Sequence, residues 1–172
     1  MQQLRYSVAA SLDGYIAGPN GEFDWIPMDP EIDFAAMYAS FSGIVMGRRS
    51  YEVFTATGGA VDTALPTYVY STTMAEGERD GVTFHRDAVS HVRSLKTRGE
   101  GKPLWLWGGG NLFRQLAAAD LVDGVDVAII SVVLGNGLPL MATPGPRLRL
   151  QLREHRLYKG TGTMVVKYDV VR

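Results

Sequence analysis

Apolar and polar positions change rhythm repeatedly along the chain, and the changes predict alternating strands and helices. Residues 4–10 read as a strand, and Ser11-Leu12-Asp13-Gly14 turns it towards a short apolar piece, Tyr15-Ile16-Ala17. Gly18-Pro19-Asn20-Gly21 is a loop rich in breakers. Pro30 opens a helix over 31–41, with Ile32, Ala35, Ala36 and Ala39 on its apolar face. Residues 43–47 form a short buried strand ending on glycine, and a helix starts at Arg48. A strand over 67–70 runs into Ser71-Thr72-Thr73, and another covers 82–84. Val89, Val92 and Leu95 give 87–97 helical spacing. The strand 103–107 is stopped by three glycines, and Leu112 begins the next helix. Residues 125–134 are the longest β-branched run. The last two segments, 148–158 and 163–171, alternate as an antiparallel pair. The sum is one α/β domain over 1–172, a mainly parallel sheet with crossover helices and an antiparallel edge.

Composition removes several kinds of chemistry. The 172 residues contain no cysteine, which excludes disulfides, thiolate metal sites and thiol catalysis. Net charge is -1, so there is no global positive field to hold nucleic acid. His85, His91 and His155 are too scattered to predict a metal cage. No apolar run approaches the ~20 residues of a membrane span, and the N-terminus lacks a basic-then-apolar signal, so a cytoplasmic protein is expected. Glycine is the abundant residue, at 20.

Three strand-to-helix or strand-to-loop junctions carry candidate chemistry. At Gly108-Gly109-Gly110-Asn111-Leu112, backbone N–H groups can approach a ligand without Cβ obstruction, and the following helix start favours an anion. Asn111 would cap that helix or bond the ligand. A tight packing turn uses the same residues, and the spaced glycines of a dinucleotide fingerprint are missing. Gly47-Arg48-Arg49-Ser50 puts two guanidiniums at a helix start, where the dipole disfavours them unless an anion is bound. A solvated basic pair is the alternative. Ser71 and Thr72 place hydroxyls beyond the end of a third strand, where open α/β sheets bind ligands. Together the three junctions predict a phosphate-bearing small molecule at one sheet edge.

The runs 5–17, Asp24-Trp25-Ile26, 45–52 and 107–113 resemble the dihydrofolate reductase superfamily. More closely, they resemble bacterial proteins related to the reductase half of the bifunctional riboflavin-biosynthesis deaminase–reductase. The resemblance implies a three-layer fold with about eight strands, flanking helices and a C-terminal antiparallel hairpin, and a homodimer. It implies that Gly47, Arg48, Arg49 and Ser50 hold NADPH phosphates, with Ser71 and Thr72 near the adenosine 2′-phosphate. Gly108, Gly109, Gly110, Asn111 and Leu112 would line the pyrophosphate. Ala9, Ile16 and Ala17 would border the nicotinamide, with Trp25 close by. The substrate would be pterin-like or an aminopyrimidine, of the dihydrofolate or 5-amino-6-(5-phosphoribosylamino)uracil class. Gapless counting puts a helix carboxylate at Glu31, a slipped alignment puts it at Asp33, and Asp24 is a third candidate. Asp13 is expected to fix the turn with Gly14. The chain departs from the riboflavin reductases at Ser7, where they carry Lys, and it lacks a zinc deaminase site. A nucleotide- or pterin-binding module with little turnover is the alternative to an enzyme.

Overall fold

The computed structural model describes residues 1–56 and 65–172. The strands are β1 (Leu4–Ser11), β2 (Tyr15–Ala17), β3 (Gly43–Gly47), β4 (Thr67–Tyr70), β5 (Gly77–Arg79), β6 (Val82–His85), β7 (Leu104–Gly108), β8 (Gly124–Ile130), β9 (Leu138–Pro139), β10 (Arg149–Tyr158) and β11 (Thr163–Val171). The helices are α1 (Phe34–Ala39), α2 (Arg48–Ala56), α3 (Ala88–Arg98) and α4 (Gly110–Ala118). Nine strands form one sheet in the order β10-β11-β8-β1-β7-β3-β4-β6-β5, and β2 pairs with β9 in a separate ladder. The six strands from β8 to β6 are mutually parallel. β11 and β10 continue antiparallel at one end, and β5 is antiparallel at the other.

Strand alternation divides the core between the two faces. Val45 and Leu106 join Leu4, Tyr6, Phe113 and Leu116 on the face covered by α3 and α4. Their neighbours Ile44, Met46 and Trp105 join Phe41, Val69 and Phe84 on the other, where Met37 of α1 and Tyr51 of α2 pack. This is the three-layer, dihydrofolate-reductase-like arrangement.

The structure corrects the sequence expectations at four places. The helix expected over 31–41 is the six residues of α1, because the Asp33 carboxylate caps it by accepting the Ala36 N–H at 2.9 Å. Glu31 therefore precedes the helix, and Phe41 leaves it to stack on Trp105 at 4.9 Å. The run over 125–134 leaves the sheet after Ile130, and Val133 is exposed. β5 was not foreseen: all three residues of Gly77–Arg79 are exposed and carry no apolar alternation. The fourth correction is α4, which begins at Gly110 rather than Leu112.

The amino ends of the central strands are sealed by paired charges. Arg5, almost fully buried, donates to both carboxylate oxygens of Asp126 at 2.9 and 2.7 Å, to Asp169 at 2.9 Å and to the Tyr168 carbonyl at 2.9 Å. These hydrogen bonds to Asp126 hold the guanidinium far above its ordinary pKa. Buried Lys96 donates to the Leu121 carbonyl at 2.6 Å and pairs with Asp123. Asp123 also accepts the Leu4 N–H at 2.8 Å and an Arg172 N–H at 3.0 Å.

Candidate functional site

The opposite, carboxyl ends of the sheet open into a cleft of about 880 Å³. It crosses β1, β7, β3, β4 and β6, which are consecutive neighbours. Four inter-strand steps of ~4.8 Å make this span about 19 Å, which suits an elongated ligand better than a single small anion. Chain polarity explains the location: all five strands are parallel, so their following loops emerge on one side.

At β7 the chain turns through Gly108, Gly109 and Gly110 into α4, and the Gly108–Gly109 peptide is cis. Gly109 is the N-cap and offers no side chain to the helix amides. A Cβ at Gly110 would run into the Pro139 carbonyl oxygen, so only glycine lets the 139–142 segment pass this close. That segment is tied down by Ala142 N–H to Gly110 at 3.2 Å, Leu140 N–H to Gly14 at 2.9 Å and the Tyr6 hydroxyl to Leu140 at 3.0 Å. Asn111 sits inside the first turn, where its side chain accepts from Arg114 at 3.1 Å. The expectation that it caps the helix is therefore corrected.

At β3 the chain enters α2 directly from Gly47. Arg48 donates to Glu52 at 2.6 Å and to Thr73 at 2.5 Å, bridging α2 to the loop after β4. Arg49 and Arg86 line the same cleft and have no carboxylate at ion-pair distance among the described residues. Ser50 Oγ lies against Gly108 and Gly109. At β4, Ser71 Oγ accepts the N–H groups of Thr73 and Met74 at 3.2 and 3.1 Å, folding the loop that carries Thr72.

All fourteen residues expected at a cofactor site line this one cleft: Ala9, Ile16, Ala17, Gly47, Arg48, Arg49, Ser50, Ser71, Thr72, Gly108, Gly109, Gly110, Asn111 and Leu112. The expected acids do not. Asp33 is exposed and engaged as the α1 cap, while Glu31 is exposed and lies 3.9 Å from Arg156. Asp24 is exposed, and the Trp25 indole donates to the Glu22 carbonyl at 3.1 Å. Their neighbours Phe23 and Ile26 reach the cleft instead. Among the described residues, the cleft lining contains no Asp or Glu. Asp13 behaves as a turn residue. It accepts the Gly135 and Leu134 N–H groups at 2.7 and 3.1 Å, and a Ser11 hydrogen bond leads the effects that hold its carboxyl below the usual range.

Several lining residues were not singled out from the sequence. Arg86 follows β6 as Ser71 follows β4, so a rule of reading the residue after every strand would have found it. Phe23, Ile26, Val53, Phe54 and Trp107 look like ordinary core positions in a sequence, and only their shared cleft distinguishes them. Asp29 was also missed. It is buried, accepts the Glu31 N–H at 2.9 Å and the Thr161 hydroxyl at 2.7 Å, and fastens the 18–33 loop to the β10–β11 turn.

The family described as the RibD C-terminal domain matches residues 2–164. The chain belongs to this family. YyaP, an uncharacterized protein of Bacillus subtilis (strain 168), is 30% identical over 177 residues, covering 96% of this chain and 94% of YyaP. A structure from Shewanella sp. PV-4 named for riboflavin biosynthesis is 25% identical, covers all of both chains and superposes with a TM-score of 0.84. The Enterococcus faecalis dihydrofolate reductase, solved with NADP(H), shares the fold at 15% identity and a TM-score of 0.73, over 99% of this chain and 97% of its own. Membership of the RibD C-terminal family supports a reductase class for the chain. Among the described residues, no helix is long and apolar enough to cross a membrane.

Proposed function

We propose that this RibD C-terminal domain protein is an NADPH-dependent reductase of a small pterin-like or aminopyrimidine-type ring compound. The observation that carries the reading is the cleft itself. It joins a glycine turn with an uncapped helix start to Arg49 and Arg86, two cations with no carboxylate partner among the described residues. Those residues fit a dinucleotide carrying an extra phosphate. The α4 amides and Gly108–Gly110 would take the pyrophosphate, because backbone donors there meet no side chain. Arg49 and Arg86, with Thr72, would take the 2′-phosphate, and Arg48 would do so from its bridge to Thr73. Ala9, Ile16 and Ala17 would border the nicotinamide. When bound there, NADPH would supply the hydride and be oxidised to NADP⁺, and the accompanying proton would come from water.

The chain's own residues then do positioning rather than proton chemistry. Ala9 and the glycine turn fix one side of the cleft, and the 18–33 loop closes over the other, held by Asp29. Proton delivery from solvent agrees with a lining that contains no acid among the described residues. We also propose a cytoplasmic homodimer, the dimer being what the resemblance to the riboflavin-type reductases implies.

The test is thermal stabilisation by NADPH and by NADH, followed by loss of nicotinamide absorbance with dihydrofolate or an aminopyrimidine. The expected result is stronger stabilisation by NADPH, together with oxidation by a ring acceptor. Stabilisation without oxidation by any ring acceptor would make the protein a binding module. Absence of stabilisation by either nucleotide would overturn the reading.

A further inference from the structure

The cleft is chemically divided, and the division bears on what binds beside the cofactor. Along α2 the lining changes from Arg48 and Arg49 in the first turn to Val53 and Phe54 in the second. Across from that second turn lies the 18–33 loop, with Gly21 packed so that a Cβ there would sit 3.5 Å from Val53. Val53 meets this loop and Phe54 meets Trp107 there, and Ile16, Phe23 and Ile26 line the same cleft. Trp107 is held from two sides, edge-on to Phe54 at 4.7 Å and stacked with Trp105 at 5.3 Å. Trp105 is itself fixed by Phe41 at 4.9 Å and by its indole donating to the Ser7 carbonyl at 2.7 Å. The polar lining residue of the loop, Asn20, has its amide engaged by Glu22 at 2.7 Å.

A wall of this kind gains from flat rings and penalises charge. A well-placed aromatic contact adds to simple burial, whereas an ionised group loses its hydration without a partner. We infer that the aromatic end binds an uncharged, planar, conjugated ring compound, and that a ribosyl-phosphate aminopyrimidine is not its ligand. This rests on the reading that NADPH fills the arginine end, because the phosphate-binding groups are then already used.

The probe is quinoxaline, an uncharged two-ring heteroaromatic, titrated by calorimetry into the protein with and without NADP⁺. Wild type should bind it saturably at one site, and ribose 5-phosphate should not compete. Trp107→Leu and Phe23→Ala should each weaken it about fivefold more than they weaken NADP⁺, as loss of ~1 kcal/mol of ring contact requires. Phe23 is 40% exposed, so its variant should fold even if the tryptophan variant does not. Wild-type affinity in both variants, displacement by ribose 5-phosphate, or absence of saturable binding would each overturn the inference. NADP⁺ is titrated separately. Quinoxaline binding without NADP⁺ binding would leave the ring site standing, and would remove the cofactor reading together with the exclusion of a ribosyl phosphate that rests on it.

Discussion

The two ends of the central sheet treat charge in opposite ways. At the amino ends, Arg5 lies between Asp126 and Asp169, and Lys96 and Arg172 converge on Asp123. Each of these three cations has a carboxylate partner, and Arg5 and Lys96 are almost fully buried. At the carboxyl ends, Arg48 has Glu52 as a partner, but Arg49 and Arg86 face the cleft with none among the described residues. Cancelled charge closes a surface and fixes strand register, whereas uncancelled charge beside free backbone donors is a place for an anion. Residue type is the same at both ends. Pairing is what separates an arginine that closes the sheet from one left open to the cleft.

The sharpest way to break this contrast is Asp126→Ala. It leaves the Arg5 guanidinium buried with Asp169 as its remaining carboxylate, and should cost about 3–5 kcal/mol of stability in denaturant unfolding. NADPH affinity of the folded fraction should be unchanged. A loss below 1 kcal/mol would mean that the amino-end cluster is ordinary surface pairing, by the usual scale of exposed ion pairs at ~0–1 kcal/mol.

Removing cations at the other end should do the reverse. Arg49→Ala with Arg86→Ala should leave stability within about 0.5 kcal/mol, as for substitutions outside a packed network. NADPH binding should weaken about 100-fold if each arginine contributes ~1.5 kcal/mol through a charged hydrogen bond. NADH should be much less affected. Equal loss for both nucleotides, measured by calorimetry, would move these arginines away from the extra phosphate.

Asp29→Ala sits between the two cases, because it is a paired acid that supports the cleft. Leaving the Thr161 hydroxyl and the Glu31 N–H without their acceptor should cost about 1–3 kcal/mol. Its distinctive effect should be a raised KM for the ring acceptor with NADPH affinity kept, because the 18–33 loop carries Phe23 and Ile26. Equal changes for both ligands would mean a general loss of order.

The smallest effect is a pH dependence. His91 is pushed down to about 4, chiefly by burial and then by neighbouring His85 and Arg98. Its Nδ1 lies 2.9 Å from the Tyr70 hydroxyl, and its ring centroid is 3.6 Å from that of His85. The folded state therefore resists a proton that the unfolded chain accepts near 6.5. Stability should fall as pH drops from about 6.5 to about 4, and His91→Gln should flatten that part of a melting-temperature profile. A profile unchanged by the substitution would assign the acid sensitivity to the carboxylates, Asp123 among them.

Much of the fold was legible because local chemistry set it. Short apolar runs over 43–47 and 67–70 became β3 and β4, and Asp87 caps α3 where the helical spacing begins. The cleft-lining positions were legible for a related reason: glycines, arginines and hydroxyls directly after strands announce themselves in one dimension. The expected acids, by contrast, do not line the cleft. Asp33 and Glu31 were placed by counting along a loop, and a loop's path depends on contacts such as Asp29 with Thr161, 132 residues apart.

By itself, then, the sequence determined an α/β domain without cysteine chemistry and marked three junctions suited to phosphate. Short-range patterning suffices for that, since strand, turn and helix starts depend on neighbouring residues. The tertiary structure decided which charges are cancelled. Arg5 finds Asp126 only because β1 pairs with β8, and Arg86 joins Arg49 only because β6, β4 and β3 lie side by side. It also decided that Phe23, Val53 and Trp107 line one cleft, because burial and cleft formation are set by elements far apart in the chain.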